Sequence, residues 1–138
     1  MSEANKDLVR RYYQATSGDL AGIEDIVTAG FVDHHFPPNL PPGPEGVRIF
    51  FNDILGAFTE RAIAIDELVA EGDRVVCKFA LLASHTGEFA GIAATGRRIT
   101  CPAYSTFRIA EGKLAEGWEL ADLLGLFQQL QAPEPAVA

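Results

Sequence analysis

At Ala62 the periodicity of the chain changes. Upstream, apolar residues recur at helical spacing; downstream, they alternate with polar ones over long runs. Helices followed by a run of antiparallel strands make an α+β domain, with a helical layer on one face of a curved sheet. Val9, Tyr12, Tyr13 and Thr16 place a first helix over Ala4 to Thr16, and "TSGD" breaks it with Asp19 as the next cap candidate. Leu20, Ile23, Ile26 and Val27 continue as a second helix up to Gly30, and "FVDHHF" is a short extended piece. "FPPNLPPGPEG" holds five of the 8 prolines and must be a loop. A third helix starts at Pro44, with Val47, Phe50, Phe51, Ile54, Leu55 and Phe58 on its apolar stripe.

Beyond Ala62, "AIAIDELVAEGDRVVCKFALLASH" reads as a hairpin turning at Glu71, Gly72 and Asp73, and "RIAEGKLAEGW" turns again at Glu111 and Gly112. Between them "TGEFAGIAATGRR" is too long for a tight turn and should lie over one end of the sheet. A short apolar helix, "LLGLFQQLQ", closes the chain. Residues 1–131 read as a single domain and 132–138 as a disordered tail. Such a sheet, bent and covered by helices, encloses a cavity fit for a hydrophobic small molecule.

A net charge of -8 without a basic block argues against nucleic acid and against an anionic membrane surface. No apolar stretch approaches a membrane span, and "MSEANKDLVRRYY" carries charges where a signal peptide has its apolar run, so the expected location is cytoplasmic. Cys77 and Cys101 are too few and too far apart for a disulfide framework or a zinc knuckle, and read as reduced core residues.

The chemistry concentrates at "WELAD". Along a strand Trp118 and Asp122 share one parity, so an indole could desolvate a carboxylate and raise its pKa toward a useful range. Asp122 also stands directly before the last helix, where it would cap the first turn as an anion. Both readings are open on spacing alone. His34 and His35 are neighbours in an extended piece and point to opposite faces, so one of them enters a given cavity; His34 is the expected wall residue. His85, Glu88 and Asp122 lack the spacing of a metal site, and no metal or cofactor is expected. Tyr104, Thr106 and Arg108 form one parity of a strand against Cys101, Ala103, Ser105 and Phe107, and either parity could face inward.

In order and spacing, "FVDHHFPPNLPPGPEGVRIFF", "ELVAEGDRVVCKFALLASHTGEFAGIAATGRRI" and "FRIAEGKLAEGWELAD" resemble the SnoaL-like polyketide cyclases of the nuclear-transport-factor-2-like superfamily. The resemblance implies a cone of three N-terminal helices on a strongly curved antiparallel sheet, and a homodimer through the sheet. It also implies cofactor-free proton abstraction and intramolecular aldol ring closure on a hydrophobic, carbonyl-bearing molecule. Through "WELAD" it assigns the proton transfer to Asp122, with His34 assisting. Trp118, Tyr104, His85, Phe89 and Phe51 are the substrate-binding candidates. Isomerisation, dehydration, epoxide opening or a non-catalytic binding or assembly module are the alternatives the same fold allows.

Overall fold

The computed structural model describes residues 2–133; the remainder of the expected tail, from residue 134, lies outside the described residues. Helix α1 (Ser2–Ser17) buries Leu8, Val9, Tyr12, Tyr13 and Thr16 along the stripe that the spacing predicts. The second expected helix is a single 3-10 turn at Ile23–Asp25, followed by strand β1 (Val27–Asp33). The physical reason is local: Leu20 (φ 67°) and Gly22 (φ 78°) are left-handed, which an α-helix cannot absorb. Leu20, Ile23, Ile26 and Val27 are nevertheless all buried, so the apolar pattern found the core and mistook the backbone. The extended piece is accordingly longer than expected and starts earlier.

After the Pro-rich loop, α2 (Pro44–Ile49) runs into a π-helical turn at Phe50–Ile54, closed by Leu55 N–H donating to the Phe50 carbonyl at 2.9 Å. Phe58 is not on this helix but opens β2 (Phe58–Glu71). Three further strands follow: β3 (Arg74–His85), β4 (Arg98–Ala110) and β5 (Lys113–Ala121), then α3 (Leu123–Gln131). Both hairpins turn where the sequence places them.

The sheet order is β1-β5-β4-β3-β2, antiparallel except that β1 runs parallel to β5. Register shifts within β2 at Thr59/Ala62 and Ile65/Glu67 bend its 14 residues around the helical layer. Register and burial settle the parity of β4: Cys101, Ala103, Ser105, Phe107 and Ile109 are buried against the helices, whereas Tyr104 is 56% exposed on the outer face. The interior has two apolar clusters. The larger joins α1, β1, α2 and the π turn to the middle strands; the smaller gathers Phe58, Ala83, Ile99, Cys101, Leu126 and Leu130 beneath the 86–97 connection. Cys77 and Cys101 are buried free thiols. Among the described residues no helix is long and apolar enough to cross a membrane.

Candidate active site

The terminal strand carries two carboxylates with opposite fates. β5 ends at Ala121, so Asp122 leaves the alternation (φ -77°, ψ 74°) and caps α3, its Oδ1 accepting the Gly125 N–H at 2.9 Å. It is exposed. A Cβ at position 125 would lie 2.3 Å from Asp122 Oδ2, so a glycine there is what lets the carboxylate close on the helix end. Trp118 is on the outer face of the sheet, paired in register with Thr106, with its ring stacked on His34 at 5.2 Å and the Arg74 guanidinium 5.0 Å from its centroid. The indole therefore does not desolvate Asp122.

Glu119 has the other parity and points inward. It sits opposite Ser105 on β4, which in turn sits opposite Cys77 on β3, so the three form a polar row across the inner sheet face. Its Oε2 lies 3.3 Å from His35 Nε2, and His35 Nδ1 lies 2.5 Å from Asp33 Oδ1. The imidazole thus bridges two carboxylates, one of them on a side chain with 3% of its surface exposed. Asp33 also accepts the His35 backbone N–H at 3.2 Å, a two-residue turn that fixes the ring. Gly117 makes room for the approach: a Cβ there would stand 3.1 Å from both Asp33 Oδ2 and the Phe107 ring. At the same point His34 N–H donates to the Gly117 carbonyl at 2.8 Å, where the chain turns around the edge of β5.

That turn decides which histidine is inside, and it is His35. Half-exposed His34 reaches the outer face, where its Nε2 is 2.6 Å from Glu116 Oε2 and Glu116 also accepts from Arg108 at 2.9 Å. These partners hold the Glu116 carboxyl below its ordinary range. Inside, burial pushes the Glu119 carboxyl up to about 7; nearby His35 opposes the rise and Asp33 adds to it. Burial works against a charged His35, but the Asp33 hydrogen bond and the two carboxylates outweigh it and raise its pKa. A carboxyl pushed up to about 7 and an imidazole whose pKa is raised are thus in contact.

Hydroxyls and rings surround the pair. The Tyr13 hydroxyl is 2.6 Å from Ser105 Oγ, and burial lifts its pKa well above the ordinary value, so it stays protonated. Among the described residues the buried Tyr12 hydroxyl has no hydrogen-bond partner, and burial, with Asp33 and Glu119 nearby, raises its pKa well above the ordinary value. Phe50 meets His35 edge-on at 5.2 Å, and Phe51 meets Phe50 edge-on at 5.1 Å. A pocket of about 280 Å³ lies under the Pro-rich loop, reaching Asp33 and Phe36. A groove of about 360 Å³ runs over Tyr104, Thr106, Trp118 and Leu120 and reaches His35 and Glu119 at the edge of β5.

Of the residues expected at the site, Phe51 lies in the aromatic cluster around the pair. His34, Trp118 and Tyr104 are on the outer face, and Asp122 is at a helix end. His85 and Phe89 belong to the smaller cluster: His85 is fully buried, accepts the Thr95 N–H at Nδ1 (3.2 Å) and stacks on Phe58, while Phe89 packs on Phe58 and Phe127. Glu119, His35, Asp33, Tyr13 and Ser105, which the structure brings together, were not among the expected residues. A signal was present in the opposite parity of "WELA", where Gly117, Glu119 and Ala121 alternate, and in the "DHH" turn. Among the described residues no group of three or more His, Cys, Asp or Glu side chains is arranged to hold a metal ion.

Known structures with this fold are numerous. The chain is 33% identical over 137 residues to aklanonic acid methyl ester cyclase DauD of Streptomyces sp. (strain C5), covering 94% of this chain and 83% of that protein. It is 32% identical to aklanonic acid methyl ester cyclase DnrD of Streptomyces peucetius, covering 94% and 92%. The structure of TsrD from Streptomyces laurentii superposes with a TM-score of 0.84 at 27% identity, over 95% of this chain and 97% of that one. The family profile described as SnoaL-like polyketide cyclase matches residues 6–130, and the chain belongs to that family.

Proposed function

We propose that this protein is a cofactor-free acid/base cyclase in which Glu119, held by His35 and Asp33, moves the proton. The observation that carries the reading is the carboxylate–imidazole–carboxylate chain that runs from half-buried Glu119 through His35 to buried Asp33, beside an aromatic cluster. Ionised Glu119 removes a proton from a carbon flanked by carbonyl groups, leaving an enolate whose oxygen is met by the Tyr13 and Ser105 hydroxyls. The enolate carbon attacks a second carbonyl of the same molecule, forming the new carbon–carbon bond. The resulting alkoxide takes the proton back from Glu119, so no atom or electron is left over. Asp33 and His35 hold Glu119 in place, and burial brings its carboxyl up to about 7. The substrate class that fits is a polyketide ester of the kind the named relatives cyclise.

The test is turnover of aklanonic acid methyl ester by the wild type, Glu119→Gln and Asp122→Asn. Cyclisation by the wild type, its loss in Glu119→Gln and its survival in Asp122→Asn are expected. The reverse order of the two variants would return the proton transfer to Asp122.

A homodimer through the outer sheet face is the second element of the proposal. Leu120 is 83% exposed, Tyr104 56%, Val69 53% and Val76 40%, which is more apolar surface than a free sheet face commonly shows. A second copy on this face would also cover the groove that reaches Glu119. Sedimentation should show a dimer that Leu120→Arg converts to a folded monomer; an unchanged dimer would place the interface elsewhere.

A further inference from the structure

Phe36 is the loop-borne member of the ring cluster around His35. Its ring stacks on Phe50 with centroids 4.2 Å apart and planes at 16°, stands edge-on to Phe51 at 6.3 Å, and lies 5.0 Å from His35. Phe50 and Phe51 are fixed differently: they sit on the π turn, 7% and 9% exposed, inside the larger core. Phe36 is half-buried, and its other side faces the pocket of about 280 Å³ shared with Leu40 and Asp33. Its backbone N–H donates to the Asp33 carbonyl at 3.1 Å, so the ring can turn about its side-chain bonds while the main chain stays tied. Pro37, Pro38, Pro41 and Pro42 hold their φ angles and stop the loop from collapsing into the space beside the ring.

We propose that Phe36 is a swinging plug. In the free protein it occupies the position over Phe50 that a flat, fused-ring ligand takes, and the pocket under the Pro-rich loop receives it when the ligand enters. The proposal rests on the reading that His35 and Glu119 form the site, and adds the ligand's shape and its way in. A ligand ring that replaces the Phe36 ring keeps the offset stack on Phe50 and the edge contacts to Phe51 and His35, so the exchange trades like for like. The position vacated by Phe36 is bounded by the parallel Phe50 ring, which favours planar over globular ligands. Phe36 is a gating residue here and takes no part in proton transfer.

The probe is 1,8-dihydroxyanthraquinone, a flat dye with no ring to close, followed by stopped-flow fluorescence. Removing one stacked partner should change rates by about 2- to 10-fold. Phe36→Ala is expected to speed association by that factor, and Phe50→Ala to weaken affinity by that factor or more. Leu40→Trp, which fills the receiving pocket, should slow association in the wild type and have no effect in the Phe36→Ala background. The plug is overturned if the wild type does not bind the dye. It is overturned equally if Phe36→Ala weakens binding as Phe50→Ala does or leaves association unchanged, or if Leu40→Trp acts alike in both backgrounds. Because the dye is not turned over, these results are separate from the catalytic reading: an active Glu119→Gln variant sinks that reading while the gating behaviour stands or falls by itself.

Discussion

Glu119 and Asp122 stand three residues apart on one short segment, yet they live in opposite environments. Glu119 is at an inward-facing position of a strand, half-buried beside an imidazole, with its carboxyl pushed up to about 7. Asp122 is one residue past the strand, exposed, and bonded to a helix N–H at 2.9 Å. A carboxyl deprived of water holds its proton more tightly, which suits it to carry one near neutrality. The fate of each side chain follows from a single backbone event, the end of β5 at Ala121.

The largest predicted contrast between the two is catalytic. Glu119→Gln should lower turnover of aklanonic acid methyl ester by about 10² to 10⁴-fold, the usual worth of a positioned acid/base group. Asp122→Asn should leave it within a few-fold of the wild type. Next in size is the support behind Glu119: Asp33→Asn, which keeps the shape but removes the charge next to His35, should cost up to about 100-fold in kcat through misplacement. Its KM should change little, and the pH at half-maximal rate should shift, which a purely structural loss would not cause.

The same contrast appears in stability. Because the folded Glu119 pKa lies above the unfolded value of about 4.3, its contribution is fully present below that value and is lost as pH rises through about 7. Glu119→Gln should therefore be more stable than the wild type above pH 7 by roughly 1 to 3 kcal/mol, a gain that vanishes near pH 4. Urea unfolding at the two pH values measures it, and an equal change at both would break the assignment. Asp122→Ala should be destabilised by about 0.5 to 2 kcal/mol as a lost cap. Gly125→Ala should destabilise as well, in spite of the better helix propensity of alanine, since its Cβ would displace the capping carboxylate.

The fold was legible in the sequence because its signals are local and repeated. Alternation over β2 to β5, the two hairpin turns and the stripe on α1 depend on many residues agreeing. Where one or two residues decide, reading failed: left-handed Leu20 and Gly22 erased a helix whose apolar pattern was otherwise sound. The placement of the expected site residues turned on equally local events. Trp118 and Asp122 share a parity only while the strand lasts, and the strand stops one residue too early. His34 and His35 were correctly opposed, but the direction of the turn around β5, set by the His34 N–H bond to Gly117, is a tertiary fact. The parity of β4 could likewise be fixed only by knowing which face the helices cover.

The central claim is that Glu119 carries a proton near neutral pH. Carbon-13 NMR titration of the side-chain carboxyls in the folded protein, assigned with Glu119→Gln and Asp122→Asn, tests it without any substrate. A Glu119 midpoint near 7 that is absent from the Glu119→Gln spectrum is the predicted result. A Glu119 midpoint at or below the ordinary glutamate value, about 4.3, would contradict the account.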